Sequence, residues 1–309
     1  GQIYIAQLAG AGEEKRIKEA VGTLLSLMLG IAVVFSFLIQ LFCPRLLNLL
    51  NCPQEAMSEA VSYLRITALG IPFIFGYNGI CGLLRGMGES KKPLVFIMIA
   101  AAVNIFLDLL LVAVFHMGTA GTAIATVLAQ IGACAAAFAY LYLKREQFDF
   151  EWRLSYFKIR RNAAVILLRL AIPRIFQSCC IRFSLLWCNS NINSYGMIAS
   201  AANSIGNKLQ KISTTVLTAV DTGSGAMIGQ NIGARKTERV KKIVLSTLAI
   251  TLTAATIASA FALLCPRALF GIFTMDKEVM ELGVTYLKIM VITFYLAALL
   301  GTFQAVVTG

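Results

Sequence analysis

The sequence predicts an all-α polytopic membrane protein made of two helical bundles, or lobes, that repeat one another in parallel. Three observations predict this fold class: an apolar composition, runs long enough to cross a bilayer, and a repeat between the two halves. With 58% hydrophobic residues, 14% charged residues and a mean hydropathy of +0.78, the chain is far more apolar than a soluble domain, in which about 25% of residues are charged. We therefore expect it to lie in lipid.

Nearly uncharged runs of about 20 residues, the length that an α-helix needs to cross a bilayer, are the elements of this fold. In chain order they cover about 21–43, 60–84, 94–115, 119–143, 163–192, 198–230, 243–265 and 282–308. Residues 1–9 look like the end of a further span, so we expect eight or nine transmembrane helices. Gly, Ala and Ser are common in these runs, which favours close helix packing in lipid.

Basic residues are concentrated in every second loop between the spans, and the loops in between hold only a few. The basic clusters are Lys15, Arg16 and Lys18; Arg85, Lys91 and Lys92; Lys144 to Arg161; and Arg235 to Lys242. The positive-inside rule predicts that these loops face the cytosol of a multi-pass cell-membrane protein. The net charge of +12 thus sets topology, and we expect no nucleic-acid partner.

The two halves share short segments in the same order. The matching pairs are 5–11 with 228–234, Cys43-Pro44-Arg45 with Cys265-Pro266-Arg267, and 63–66 with 286–289. Six predicted crossings separate equivalent points, so both copies face the same way. A parallel repeat of apolar spans is typical of secondary transporters, in which the substrate site lies between the repeats.

This repeat predicts an N-terminal lobe over 1–143 and a C-terminal lobe over 163–309. The long polar stretch 144–162 is the predicted cytosolic linker, and its mixture of aromatic and basic residues predicts a short helix at the membrane interface. Because the chain begins within one span and stops within another, the sequence alone suggests that it is part of a longer protein.

Asp108 and Asp221 are the two acidic residues deep within predicted spans. Burying a carboxylate in a membrane costs at least about 2.5 to 3.5 kcal/mol, so each should face a polar cavity or a partner. Asn104 precedes Asp108 by one helical turn, on the same face of the helix. The next span carries Thr119, Thr122, Thr126 and Gln130 at helical spacing, and the short loop between the spans brings the two stripes together.

An acid, an amide and hydroxyls so arranged supply oxygen ligands for a small cation, or a carboxyl that binds a proton. The alternative is that Asn104 and Asp108 only link helices while the threonines bond their own helix. Asp221 either lines a cavity or pairs with a neighbour. Gln177 and Asn189 either satisfy backbone groups near Pro173 or line a cavity, and the former is favoured.

The sequence holds no nucleophile triad, metal-ligand cluster or phosphate-binding loop, so we expect neither an enzyme nor an ATP-driven pump. The eight cysteines lack metal-site spacing and are interpreted as packing residues. No cofactor is expected beyond H⁺ or Na⁺ as a coupling ion.

Four segments, taken in order, resemble multidrug and toxin extrusion (MATE) transporters: 82–93 (GLLRGMGESKKP), 104–108 (NIFLD), 118–126 (GTAGTAIAT) and 229–234 (GQNIGA). The resemblance implies a fold of twelve spans, of which this chain would hold the end of span two to span ten. It implies that Asn104, Asp108 and Thr126 form the cation site of the first lobe. Thr122 stands where the family often has Ala. An acid of the first span would precede Gly1.

The resulting hypothesis is a secondary antiporter that expels lipophilic organic cations in exchange for H⁺ or Na⁺ by alternating access. Asn104, Asp108, Thr122 and Thr126 are its ion-coupling residues, and Asp108, Asn104 and Thr126 would hold the metal if the ion is Na⁺. The predicted substrate-cavity residues are Asn78, Gln130 and Asp221. The expected partners are small organic cations and membrane lipid, and the protein is expected to be a monomer. Two alternatives stay open: a flippase for a lipid-linked saccharide, and a polytopic membrane protein that transports nothing.

Overall fold

The computed structural model describes residues 1–49, 54–146 and 155–308, and over these residues it consists of ten α-helices with no β-strand. The helices are α1 (Gln2–Ala11), α2 (Glu14–Leu49), α3 (Gln54–Gly86), α4 (Lys91–Asp108), α5 (Gly118–Leu143), α6 (Arg161–Asn193), α7 (Met197–Gly233), α8 (Thr237–Leu264), α9 (Pro266–Gly271) and α10 (Lys277–Thr308). A π-helical segment, Leu109–Val114, continues α4. The all-α fold is therefore confirmed.

Seven stretches of the described residues are long and apolar enough to cross a membrane. They are Glu14–Leu49, Gln54–Gly86, Lys91–Val114, Gly118–Leu143, Arg161–Asn193, Thr237–Leu264 and Lys277–Val307. The sixth predicted run, 198–230, forms the 37-residue helix α7, which has no stretch apolar enough to be counted among these seven. Residues 1–9 fall within the short helix α1.

Local sequence explains where several helices start and stop. Gly12 ends α1 with a left-handed backbone (φ 70°), which a residue without a side chain adopts freely. The side chain of Glu89 accepts hydrogen bonds from the backbone N–H groups of Lys91 and Lys92 at the start of α4. Asp276 Oδ1 accepts the N–H groups of Glu278 and Val279 at the start of α10 (2.9 and 3.2 Å). Such bonds satisfy N–H groups that have no partner within the helix.

The chain forms two compact units, Gly1–Leu168 and Arg169–Gly309. The division falls within α6. The predicted lobes, 1–143 and 163–309, stay a prediction, as does the orientation of the loops in the membrane. Residues 147–154 of the predicted linker lie outside the described residues.

In the first unit, α3 packs against both α2 and α5, and α4 packs on α5. Fully buried apolar side chains from α1, α3 and α5 meet in one core, including those of Ile5, Ile80, Leu84 and Leu141. Close approach depends on small residues: a methyl group added to Gly79 would lie 3.0 Å from Leu25 Cδ2. This is the packing that small residues permit in lipid.

The interfacial helix predicted within 144–162 stays a prediction, because residues 147–154 lie outside the described residues. Residues 155–160 are turns and non-helical chain, and their backbone binds α2. Ser26 Oγ donates a hydrogen bond to the backbone oxygen of Phe157 (2.6 Å), and Arg160 N–H donates to Thr23 Oγ1 (3.1 Å). Gly22 provides the space, since a methyl group there would overlap the backbone oxygen of Tyr156. Side chains of α2 thus satisfy backbone groups that a helix would otherwise satisfy internally.

In the second unit, α10 packs along both α7 and α8. Its core includes Phe270, Leu287 and Ala298, all essentially inaccessible to solvent. Thr251 of α8 and Thr302 of α10 are also buried, with their hydroxyl oxygens 3.3 Å apart. The centre of α10 is therefore held by helices on two sides.

Candidate ion-coupling site

Asp108 is the last residue of α4, at the point where the helix changes from α to π geometry. The π segment ends with a wide turn, in which Phe115 N–H donates to the backbone oxygen of Leu110 (3.1 Å). Gly121 of α5 lies against this turn, since a methyl group there would be 3.3 Å from the backbone carbon of Leu111. Short π segments are rare and occur frequently at functional sites.

The carboxyl group of Asp108 is only partly satisfied. The residue is half-buried, its Oδ1 is shielded from solvent, and within the described part of the chain that oxygen has no hydrogen-bond partner. A buried polar oxygen without a donor costs free energy that a bound proton or cation would return. This oxygen is the strongest sign of a ligand in the first unit.

A short chain of hydrogen bonds lies one turn before Asp108. Asn104 Nδ2 donates to Thr126 Oγ1 across the α4–α5 contact (3.5 Å), and Thr126 Oγ1 donates to the backbone oxygen of Thr122 (2.9 Å). Because the amide nitrogen of Asn104 faces Thr126, its oxygen is left as an acceptor. Asn104 and Asp108 are four residues apart and share a face of α4. The observed bonds are those of the predicted alternative, in which Asn104 links helices and Thr126 bonds its own helix, and an ion-coupling role for Asn104, Asp108, Thr122 and Thr126 stays a prediction.

The two predicted substrate-cavity residues of this unit do not join that group. Gln130 is half-buried on α5, one turn beyond Thr126, and forms no hydrogen bond among the described residues. Asn78 on α3 is exposed, and its amide nitrogen donates to the backbone oxygen of Ile74 in its own helix (2.8 Å). Their assignment to a cavity stays a prediction.

Asp221 belongs to the second unit, where its carboxyl group faces Gly301 of α10. Its Oδ1 is shielded from solvent and, among the residues that the structure describes, has no hydrogen-bond partner. The predicted alternative of pairing with a neighbouring side chain is therefore not what the described residues show.

Two amides on α6 differ from the favoured prediction that they satisfy backbone near Pro173. Gln177 Oε1 accepts a hydrogen bond from Gln304 Nε2 of α10 (3.0 Å). Asn189 Oδ1 accepts one from Asn203 Nδ2 of α7 (2.9 Å). Where no water is available, a hydrogen bond between two side-chain amides satisfies both of them. Each of the two amides therefore links its helix to a neighbouring helix.

Sequence reasoning missed four residues of the second unit: Asn203, Gly206, Tyr286 and Gly301. Tyr286 OH donates to Asn203 Oδ1 (3.4 Å), and its ring fills the space that a side chain at Gly206 would occupy. In the same way, Gly301 leaves the space that the carboxyl of Asp221 occupies. The only available signal was a small residue within an apolar run, which marks a helix contact without naming its partner.

No group of three or more His, Cys, Asp and Glu that could hold a metal ion is found in the ranges 1–49, 54–146 and 155–308. Na⁺ as an exchanged ion would instead depend on mixed oxygen ligands. The ligands predicted for it in the first unit, which are the carboxyl of Asp108, the amide oxygen of Asn104 and the hydroxyl of Thr126, stay a prediction.

Seven stretches apolar enough to cross a membrane, together with a buried carboxyl oxygen that lacks a partner among the described residues, are typical of a membrane transporter, and comparisons with known proteins identify its family. A family model described as MatE matches residues 1–110 and 173–309. The chain is 30% identical over 249 residues to the probable multidrug resistance protein YoeA of Bacillus subtilis (strain 168), a match that covers 78% of this chain. The chain belongs to the MATE family of multidrug efflux transporters.

Other relatives and solved structures agree. The probable multidrug resistance protein YpnP of Bacillus subtilis (strain 168) is 32% identical over 240 residues. An outward-facing multidrug resistance MATE family transporter superposes with a TM-score of 0.91 at 20% identity, over 100% of this chain and 70% of that one. The chain spans about half the length of the two Bacillus relatives, 53% and 52%.

Proposed function

We propose that this chain is part of an antiporter that expels lipophilic organic cations in exchange for H⁺ or Na⁺. The observation that carries the proposal is the carboxyl of Asp108, whose buried Oδ1 lacks a partner among the described residues. Family membership and the names of the Bacillus relatives support the multidrug substrate class.

The chemistry follows from the charge on one carboxyl group. A bare Asp108 carboxylate attracts a cationic substrate, and a bound H⁺ or Na⁺ cancels that attraction. Asn104 and Thr126 hold the ion or position the carboxyl, since their hydrogen bond fixes α4 against α5 beside it. Alternate exposure of this group to the two sides of the membrane converts ion entry into substrate exit. Exchange of one monovalent ion for one monovalent organic cation moves no net charge across the membrane, so the concentration gradient of the ion drives it. A tenfold ion gradient supplies about 1.4 kcal/mol, enough for a substrate gradient of about tenfold.

The test is ethidium efflux from cells that express the full-length protein, driven by an imposed H⁺ gradient or an imposed Na⁺ gradient. We expect Asp108→Asn to abolish ion-driven efflux with unchanged expression, because the amide is neutral at every pH. Glu59→Gln is the matched control, since Glu59 is an exposed acid near the start of α3. Undiminished efflux in Asp108→Asn would reject the assignment of this residue.

The same assay separates the alternatives. A flippase for a lipid-linked saccharide, or a membrane protein without transport activity, would leave ethidium accumulation independent of the gene. Efflux that responds to only one of the two gradients identifies the coupling ion.

A further inference from the structure

Where α7 packs against α10, the carboxyl group of Asp221 fills the space that a side chain at position 301 would need. A methyl group placed on Gly301 would overlap Oδ2 of Asp221 and lie 2.7 Å from its carboxyl carbon. Gly301 lies within Lys277–Val307, one of the stretches apolar enough to cross a membrane. Asp221 therefore lies beside a predicted membrane span, although α7 itself is not among the stretches apolar enough to cross a membrane.

The hydroxyl groups around this carboxyl donate elsewhere. On α7, Ser224 Oγ donates to the backbone oxygen of Val220 (2.9 Å) and Thr218 Oγ1 to that of Thr214 (2.8 Å). On α10, Thr302 Oγ1 donates to the backbone oxygen of Ala298 (3.0 Å). Each hydroxyl thus satisfies its own helix, which leaves Asp221 Oδ1 without a donor among the described residues.

No cation of the described chain balances the charge that a bare carboxylate would carry there. Asp221 forms no ion pair with a described residue. The charged groups that come nearest along α7, α8, α10 and α6 are Lys211, Lys242, Lys288 and Arg174. Lys211 is separated from Asp221 along α7 by roughly 15 Å of helix. Lys242 on α8 and Lys288 on α10 are separated by roughly 13 to 20 Å of helix from the part of their own helix that lies nearest to Asp221. Arg174 lies one turn from Gln177, which bonds Gln304 of α10, and its side chain is exposed.

The geometry favours a proton over a metal cation as the ligand. Hard cations take several oxygen ligands at once, and here the nearby hydroxyls face their own helix carbonyls. A single proton neutralises the carboxyl without any further ligand. A neutral carboxyl can also lie against the Cα of Gly301 at far lower cost than a charged one.

We propose that Asp221, packed against Gly301, is a proton-binding site of the second unit, and that loss of its proton requires the carboxyl to leave α10. The site is separate from Asp108, which lies in the first unit. Proton binding here stands on the local contacts alone, whereas its use in transport rests on the proposed function. Because the leaving carboxyl frees the α7–α10 contact, protonation couples directly to helix packing.

Carbodiimide labelling tests the site. Dicyclohexylcarbodiimide adds to a protonated carboxyl in an apolar setting: the acid proton moves to a nitrogen of the reagent, and the carboxylate oxygen bonds to its central carbon. In the purified full-length protein, we expect peptide mass spectrometry to find the adduct on Asp221 near pH 5. The adduct should decrease at least about tenfold by about pH 9, where a carboxyl able to reach water is ionised. Added Na⁺ should leave the labelling unchanged.

Two glycines provide the matched comparison. In Gly301→Ala the new methyl group displaces the carboxyl from α10, so labelling of Asp221 at neutral pH should fall at least about fivefold. In Gly223→Ala, two residues from Asp221 on the same helix, no described atom lies within 4 Å of the methyl group. Labelling in Gly223→Ala should equal that of the wild type. Equal labelling in both variants would overturn the proposal.

Asp221→Asn tests the site independently of Gly301→Ala, which could fail to fold. The amide of Asn has the shape of a neutral carboxylic acid, so this variant should keep the packing of α7 on α10. In a weakly buffered jump from about pH 8 to about pH 5, it should take up fewer protons per molecule than the wild type. Equal uptake would overturn the proposal, as would labelling of Asp221 that Na⁺ suppresses or that never appears. Labelling of Asp108 in the same digests keeps the two hypotheses apart: adducts on Asp108 alone refute this site and leave the proposed function standing.

Discussion

Replacing Gly22 by Ala should release the segment 155–160 from α2. The methyl group would overlap the backbone oxygen of Tyr156, whereas an ordinary contact between carbon and a carbonyl oxygen is about 3.3 Å. A backbone oxygen cannot rotate away like the tip of a long side chain. The segment must therefore move by on the order of 1 Å, the overlap relative to that contact distance.

The size of the effect follows from the two hydrogen bonds that such a movement breaks. They join Ser26 Oγ to the oxygen of Phe157 (2.6 Å) and the N–H of Arg160 to Thr23 Oγ1 (3.1 Å). At about 1 kcal/mol each, their loss lowers the free energy of opening the segment by about 2 kcal/mol and raises the opened population about thirtyfold. Strain from overpacking adds to this figure.

Limited trypsin digestion of the full-length protein measures this opening, because Lys158 and Arg160 lie in the segment. We expect Gly22→Ala to be cut there about thirtyfold faster than the wild type, provided that the segment opens and closes quickly relative to cleavage. The control is Gly30→Ala on the same helix, where no described atom lies within 4 Å of the new methyl group. If both variants are cut at the wild-type rate, the segment is not held on α2 as the structure indicates.

Two further substitutions examine single contacts. Thr126→Val removes the acceptor of Asn104 Nδ2, so the ion concentration for half-maximal efflux should rise by about fivefold, the value of one hydrogen bond of about 1 kcal/mol. Thr126→Ser should restore it, and an unchanged ion dependence in Thr126→Val would show that the hydroxyl takes no part. Gly206→Ala places a methyl group against the Tyr286 ring and should destabilise the second unit by about 1 to 3 kcal/mol, seen as a lower thermal unfolding midpoint. A midpoint equal to that of the wild type would mean that the ring has room to turn away.

Helical periodicity placed Asn104 on the face of Asp108 and a polar stripe on the next helix, and the family resemblance singled out Thr126 within that stripe. Asn104 precedes the aspartate by one turn, and Thr122 and Thr126 follow the same spacing on the next helix. The short connection between α4 and α5 left little freedom in how the two stripes could face each other, so the Asn104–Thr126 bond was foreseeable. The π-helical turn after Asp108 was not, because no residue in the apolar stretch 109–114 distinguishes π from α geometry.

The second unit was less predictable for a physical reason. The contact between Asp221 and Gly301 joins residues eighty positions apart, and a glycine carries no sign of what fills the space beside it. The side-chain amides of Gln177 and Asn189 can form hydrogen bonds of similar energy with backbone groups or with other side-chain amides. Sequence spacing therefore does not show which kind of partner each one has. The attachment of residues 155–160 to α2 was not predicted, because the aromatic and basic composition of the stretch after α5 says nothing about the hydroxyls of α2 that bind its backbone.

The sequence repeat predicts that the carboxyl–glycine contact is particular to the second unit. Tyr63 of α3 and Tyr286 of α10 are equivalent and 223 residues apart, so Gly301 corresponds to Asn78. At that equivalent position the first unit has an amide whose nitrogen is bonded to the backbone of its own helix. A side chain at this position would overlap the carboxyl of Asp221, so the second unit can hold its acid there only because residue 301 is glycine. The two unsatisfied carboxyls therefore have different surroundings: Asp108 stands at the start of a π-helical segment, one turn after Asn104, whereas Asp221 lies against a residue that has no side chain.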